Sequence, residues 1–193
     1  MCRPIEDISG VILAGGQSKR FGSNKSFALF HGISFIKRVE QVMRPLFSDL
    51  LMVTNTPEVY KSPSYTVITD DIPHQGPLGG IVTALRKAKH ERIFVVACDM
   101  PLLDANDIVQ IIDAGNGYDA VIPQHGERRE YLLALYSRRL LNPMDLALRS
   151  GQRSLKGFFK DRPNIAWVPV EAKSSFNINT KQDLAHLEVT HAV

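Results

Sequence analysis

Cysteine is scarce. Cys2 and Cys98, in 193 residues, are too few and too far apart for a disulfide framework or a cysteine-ligated zinc site. The six histidines show no paired ligand spacing. The basic excess is also small: 23 Lys and Arg against 20 Asp and Glu leave +3, with the basic residues scattered rather than striped. A nucleic-acid reader carries a basic face with interleaved aromatics, so no nucleic-acid partner is expected. No apolar stretch approaches transmembrane length, and the opening MCRPIEDIS has no apolar signal core, so no membrane association is expected. These absences lead to the expectation of a soluble protein of the reducing cytoplasm. Internal repeats, low-complexity runs and linkers are lacking too, which leaves one domain over residues 1–193 with its core at about 8–189.

Hydrophobic material is plentiful: 44% of the residues can build a sizeable core in a chain of this length. Strand and helix patterns alternate. Strands are predicted at Val11–Ala14, Leu50–Val53, Thr66–Ile68 and Arg92–Cys98, and helices at Ser34–Met43, Ile81–Lys89 and Asp104–Ala114. A short hairpin-like crossing is expected between Phe27 and Ile33. The second half is less regular, with strands at Ala120–Pro123, Tyr131–Tyr136 and Ile165–Val168, and helices at Arg138–Arg149, Leu155–Lys160 and Lys181–Val189. The alternation predicts an α/β fold: a doubly wound, mostly parallel sheet with helices on both faces.

The most informative stretch runs from Gly10 to Ala28, GVILAGGQSKRFGSNKSFA. A buried strand opens into Gly15-Gly16 and a polar, basic loop that Lys25 closes. Glycines let backbone N–H groups approach an anion, and a nearby ammonium adds charge, so this is a phosphate-binding pattern. It is not the P-loop, because Ser23 and Asn24 follow Gly22 where that pattern needs Lys-[Ser/Thr]. Nor is it the dinucleotide fingerprint, because Gly15, Gly16 and Gly22 have the wrong spacing.

In an open parallel sheet, ligands bind beyond the carboxyl ends of the strands. Four predicted strand ends carry glycine or polar residues: Gly15-Gly16, Asn55, Asp70-Asp71 and Asp99. Asp99 follows an apolar run, so its carboxylate emerges in partly buried surroundings, which is costly unless it is paired or bound to a cation. Cys98 reads as a buried thiol, and Asp104 as the cap of its own helix.

The pattern L-A-G-G-x-S-x-R-x-G-x-x-K over residues 13–25 resembles the signature of the molybdenum cofactor guanylyltransferases, within the nucleotidyltransferases that activate a phosphorylated small molecule with a nucleoside triphosphate. The resemblance extends over about Val11 to Leu187 and implies a Rossmann-like fold of the nucleotide-diphospho-sugar transferase type. It implies transfer of GMP from GTP to the terminal phosphate of molybdopterin, with Mg²⁺ as cofactor and pyrophosphate as product. Lys25, Asp99 and Arg20 take the catalytic roles, Asp99 holding the metal and Arg20 facing the leaving pyrophosphate. The nucleotide contacts are Leu13, Ala14, Gly15 and Gly16, Lys25, Asn55, Asp70, the Gly76-Pro77-Leu78 stretch for the base, and Asp99. The late Asn177-Ile178-Asn179-Thr180 is similar to the family's Asn-x-Asn-Thr, which assigns Asn177 and Asn179 to the acceptor. By themselves the Gly76 stretch reads equally as a helix-entry turn and the late asparagines as an Asx turn with a cap. Client molybdoenzymes or other cofactor-biosynthesis proteins are the implied partners.

Two positions depart from the pattern: Asn24 stands where many relatives carry Asp, and Tyr131 where many carry Pro. The alternatives are a transferase of the same fold with another base or acceptor, such as a molybdopterin cytidylyltransferase or a sugar-phosphate nucleotidylyltransferase, and a non-catalytic carrier of GTP or cofactor.

Overall fold

The computed structural model describes residues 4–15, 24–71, 75–170, 178 and 180–190. Its framework begins with β1 (Ile8–Leu13), β2 (Leu29–Phe30), β3 (Ile33–Ser34), α1 (Phe35–Met43), β4 (Leu50–Thr54), β5 (Thr66–Thr69), α2 (Gly76–Lys87) and β6 (Arg92–Ala97). It continues with α3 (Ala105–Asp113), β7 (Ala120–His125), β8 (Arg128–Arg129), β9 (Leu133–Ser137), α4 (Leu141–Arg149), α5 (Leu155–Phe159), β10 (Ile165–Pro169) and α6 (Lys181–Thr190). Short 3-10 turns stand at Lys25–Phe27, Pro57–Val59 and Arg138–Leu140.

One sheet carries the fold, in the order β10-β7-β9-β6-β1-β4-β5, with β8 paired to β7. Strands β6, β1, β4 and β5 run parallel, β9 is antiparallel to both neighbours, and β7 and β10 return to the common direction. The expected mostly parallel, doubly wound sheet is therefore present. From β1 the chain winds to β4 and β5, then crosses back to place β6 on the other side of β1. The order reverses between β1 and β6, and that is where a crevice opens in such sheets.

Two cores follow from the period-2 alternation of side chains along strands buried on both faces. Ile12, Met52, Phe94 and Val96 pack with Ile36, Val39 and Met43 of α1 and Ile108 and Ile111 of α3. On the opposite face Val11, Leu13, Val53 and Val95 pack with Ile81 and Leu85 of α2, Met144 of α4 and Phe159 of α5. A third, smaller cluster joins Phe30, Phe35, Ile178 and Leu187, tying the β2–β3 hairpin to α1 and α6. Among the described residues no helix is long and apolar enough to cross a membrane.

The largest difference from the sequence reading is α2, which starts at Gly76 rather than Ile81. Gly76-Pro77-Leu78-Gly79-Gly80 reads as a string of helix breakers, yet proline is tolerated in the first turn and Gly76 opens the helix at φ +67°. The next two glycines serve packing. A Cβ on Gly80 would stand 3.3 Å from Leu13 Cδ2, and one on Gly79 2.6 Å from Gln75 Cβ. The strand expected at Tyr131–Tyr136 lies at Leu133–Ser137, and the polar loop from His125 to Glu130 contains β8. Asp104 caps α3 as expected, accepting the Asn106 N–H at 2.8 Å.

Gly10 in β1 lies under the Phe47 ring, where a Cβ would be 2.8 Å from Cδ2 and Cγ and 2.9 Å from Leu50 Cδ1. Phe47 is itself stacked on Phe94, ring centres 5.9 Å apart, and has little room to retreat. Gly10→Ala is expected to destabilise the fold by about 1–3 kcal/mol, read as a lower denaturant midpoint with unchanged slope.

Candidate active site

Strands that run parallel end on one edge, and here four of them end together. Leu13 of β1 is in register with Val53 of β4 and Ala97 of β6, and Val53 with Ile68 of β5. The ladder continues past the strand ends. Ala14 N–H donates to Val53 C=O at 2.9 Å, Cys98 N–H to Leu13 C=O at 3.1 Å, and Asp70 N–H to Thr54 C=O at 3.2 Å. Gly15, Asn55, Asp70 and Asp99 are thereby brought to one edge of the sheet, as the strand-end argument required.

Lys25 and Asp99, 74 residues apart in sequence, form an ion pair across the β1–β6 crevice through Nζ and Oδ2. Their side chains are 13% and 15% exposed, so each charge is largely withdrawn from water and kept by the other. Lys25 stands in the 3-10 turn that Asn24 caps by accepting the Ser26 N–H on Oδ1 at 3.2 Å. Asn24, one of the two departures from the family pattern, thus positions the lysine turn by its cap.

Gly15 is exposed next to Asn55, whose Nδ2 would lie 3.3 Å from a Cβ on that glycine. Asn55 Oδ1 is buried and has no hydrogen-bond partner among the described residues. An acceptor of this kind at the sheet edge is able to take a donor from a ligand. Leu13 and Ala14 are buried, so they can serve a ligand only through their backbone.

Asp70 is buried and accepts the Thr83 hydroxyl proton on Oδ1 at 2.8 Å, while Thr83 Oγ1 accepts the Asp71 N–H at 3.1 Å. Asp71 turns outward to Arg86, 3.0 Å away, and Arg86 also pairs with Asp145 of α4. The two adjacent carboxylates are therefore sorted, Asp70 toward the sheet edge and Asp71 toward the helix surface. At the start of α2, Gly76 and Pro77 are exposed, whereas the Leu78 side chain is wholly buried in the core. Gly76 and Pro77 are open to a ligand, and Leu78 only through its main chain.

Gly16, Arg20, Asn177 and Asn179 lie outside the described residues. Ile178, between the two asparagines, donates its N–H to the Asp99 C=O at 3.2 Å and buries its side chain beside Phe30 and Phe35. Ile178 is thus held against the Asp99 turn.

A neutral hydrogen-bonded group lies beneath the ion pair. Ser26 Oγ is 2.8 Å from Tyr60 Oη and 3.1 Å from Cys98 Sγ, and Asn24 Nδ2 donates to Tyr60 Oη at 3.2 Å. Burial raises the tyrosine pKa. Burial, with the Asp99 charge adding to it, pushes the Cys98 thiol up to about 12. Sequence reasoning had foreseen Cys98 as a buried thiol but missed Ser26, Tyr60 and Thr83, which no local motif marks.

The donor set fits a magnesium ion only with a substrate present. Among the described residues no group of three or more His, Cys, Asp and Glu could hold an ion. Asp99 is a single carboxylate at the crevice, and Mg²⁺ usually takes one or two carboxylates and completes its octahedron with phosphate oxygens and water.

Comparison with known proteins agrees with this geometry. Residues 10–165 match the MobA-like NTP transferase domain. A Desulfosudis oleivorans protein named molybdenum cofactor guanylyltransferase is 34% identical over 193 residues, covering 95% of this chain and 96% of its own. A probable molybdenum cofactor guanylyltransferase of Peptoclostridium acidaminophilum is 32% identical over 202 residues, covering 95% and 91%. The solved structure of the molybdopterin-guanine dinucleotide biosynthesis protein A of Archaeoglobus fulgidus matches with a TM-score of 0.81 at 26% identity, over 95% of this chain and 98% of that one.

A thiol whose pKa lies near 12 is almost wholly protonated at neutral pH. In a Cys2→Ser background, Cys98 is expected to resist a thiol reagent at about pH 8 and to react once guanidinium unfolds the chain. Rapid labelling of the native protein would contradict the assigned burial. On its sheet, its crevice and its likeness to these proteins, the chain belongs to the MobA-like NTP transferase family, among the molybdenum cofactor guanylyltransferases.

Proposed function

We propose that the chain works as a single nucleotidyltransferase domain that transfers GMP from GTP to the terminal phosphate of molybdopterin, releasing pyrophosphate. The Lys25–Asp99 pair at the β1–β6 switch carries the reading, because a cation and a carboxylate held together there suit a metal-bound triphosphate. The named relatives support guanine as the base and molybdopterin as the acceptor.

In this reading the acceptor's phosphate oxygen attacks the α-phosphorus in line, a new P–O bond forms, and the bond to the β-phosphate breaks. A phosphate nucleophile is already ionised at neutral pH, so the protein supplies position and charge rather than a general base. Lys25 exchanges its carboxylate partner for phosphate oxygens. The N–H of Gly15, an exposed residue, approaches the same anion with that of Gly16. Asn55 Oδ1 takes a donor from the nucleoside, which satisfies the orphaned acceptor. Asp70 meets the nucleoside from the β5 end, and Gly76, Pro77 and the main chain of Leu78 border the base. Arg20 neutralises the departing pyrophosphate, and Asn177 and Asn179 bind the acceptor. The bond between Ile178 and Asp99 supports that last assignment. Asp99 would hold Mg²⁺, which when bound draws charge from the α-phosphoryl oxygens. A cytoplasmic location completes the proposal, and the free thiol of buried Cys98 is compatible with it.

The test is pyrophosphate release with Mg²⁺ and molybdopterin, offering GTP, CTP, ATP and UTP separately. Release is expected with GTP alone, lost on chelation of the metal and reduced by about 100-fold or more in Asp99→Ala. Release with CTP would overturn the choice of base. Tight GTP binding without release under any condition would identify a carrier.

A further inference from the structure

We infer that the Tyr60 hydroxyl is a positioning group for the Lys25–Asp99 pair, acting through Asn24, Ser26 and Cys98; the inference rests on the nucleotidyl-transfer reading. Tyr60 follows the 3-10 turn Pro57–Val59, beyond the β4 end that carries Asn55. It meets the segment that supplies Lys25 directly, and the segment that supplies Asp99 only through Ser26. On one side its Oη receives Asn24 Nδ2–H at 3.2 Å and lies 2.8 Å from Ser26 Oγ, so it holds both residues that flank Lys25. Its ring stacks on Phe27, centres 5.4 Å apart and planes 23° from parallel, which grips the end of the same turn. On the other side Ser26 Oγ meets Cys98 Sγ at 3.1 Å, one residue before Asp99.

Tyr60 is 2% exposed and Ser26 3% exposed, so water does not compete for these bonds. A side chain as long and flexible as lysine does not fix its own ammonium; a rigid backbone turn beneath it does so by limiting where the stem begins. Asn24 suits this arrangement because its amide offers a donor to Tyr60 and an acceptor to Ser26 N–H at once. The neutral thiol and phenol keep the group free of charge, so it acts by geometry and not by moving a proton.

The test uses Tyr60→Phe, Ser26→Ala and the double variant, with GTP affinity from calorimetry and the midpoint of thermal unfolding measured on each. Loss of one net hydrogen bond from the support of Lys25 is expected to weaken GTP binding about five-fold in either single variant. Because both variants break the same chain of contacts, the double variant is expected to match the singles rather than multiply them. A lower unfolding midpoint with unchanged GTP affinity would make the group merely structural and overturn the inference, as would full multiplication in the double variant. Should Tyr60→Phe not fold, Ser26→Ala alone decides by the same comparison of affinity with unfolding midpoint. A native protein that does not bind GTP overturns the nucleotidyl-transfer reading and this inference together; native binding with no change in the variants overturns this one only.

Discussion

A lysine and a carboxylate largely withdrawn from water need each other, and much of the site's arrangement can be read as the means of keeping Lys25 beside Asp99. Desolvation makes either charge alone expensive, and mutual attraction offsets that cost only when geometry is good. The geometry comes from the sheet. β1 and β6 are adjacent and parallel, so the segment leaving the end of one strand stands beside the segment leaving the other. The winding reverses between these two strands, which is where ligand crevices open in such sheets. The pair stands at that switch point, with the group around Tyr60 supporting its lysine turn.

That support has two physically different parts. The neutral group of Tyr60, Ser26, Cys98 and Asn24 sets where the lysine turn and the aspartate turn begin. The helix α2 sets the opposite wall. Gly80 lets it approach Leu13 of β1 closely, and Thr83, one turn further on, fixes Asp70 from the helix side. Arg86 then ties the neighbouring Asp71 to α4 through Asp145. Buried, uncharged contacts lie under the Lys25–Asp99 pair, while the exposed salt bridges lie at the rim, where solvent weakens them and little depends on their strength.

The sheet itself is held by burial on both sides. Alternate residues of β1 and β6 enter two separate cores, one with α1 and α3 and one with α2, α4 and α5. A strand buried on both faces tolerates no extra methyl at close approach, as Gly10 beneath Phe47 illustrates. This rigidity allows residues from four distant parts of the chain to meet at fixed separations.

Local chemistry determined much of this protein in advance. Unbroken apolar runs such as Val11–Ala14 and Arg92–Cys98 define buried parallel strands, because backbone sterics and hydrophobic patterning act over short distances. The same logic placed Asn55, Asp70 and Asp99 at strand ends and Asp104 at a helix cap. It failed at Gly76-Pro77-Leu78-Gly79-Gly80, where breaker residues form a helix because close packing on Leu13 and a first-turn proline reverse their usual meaning. It also had no means of finding Tyr60 or Thr83. Their roles rest on hydrogen bonds across 34 and 13 residues of sequence, and such partners are chosen by the strand order, not by neighbours along the chain. Tertiary structure alone decided that β9 runs antiparallel, that Lys25 meets Asp99, and which of two adjacent carboxylates faces the sheet edge, since each depends on distances that exist only once the two cores have closed.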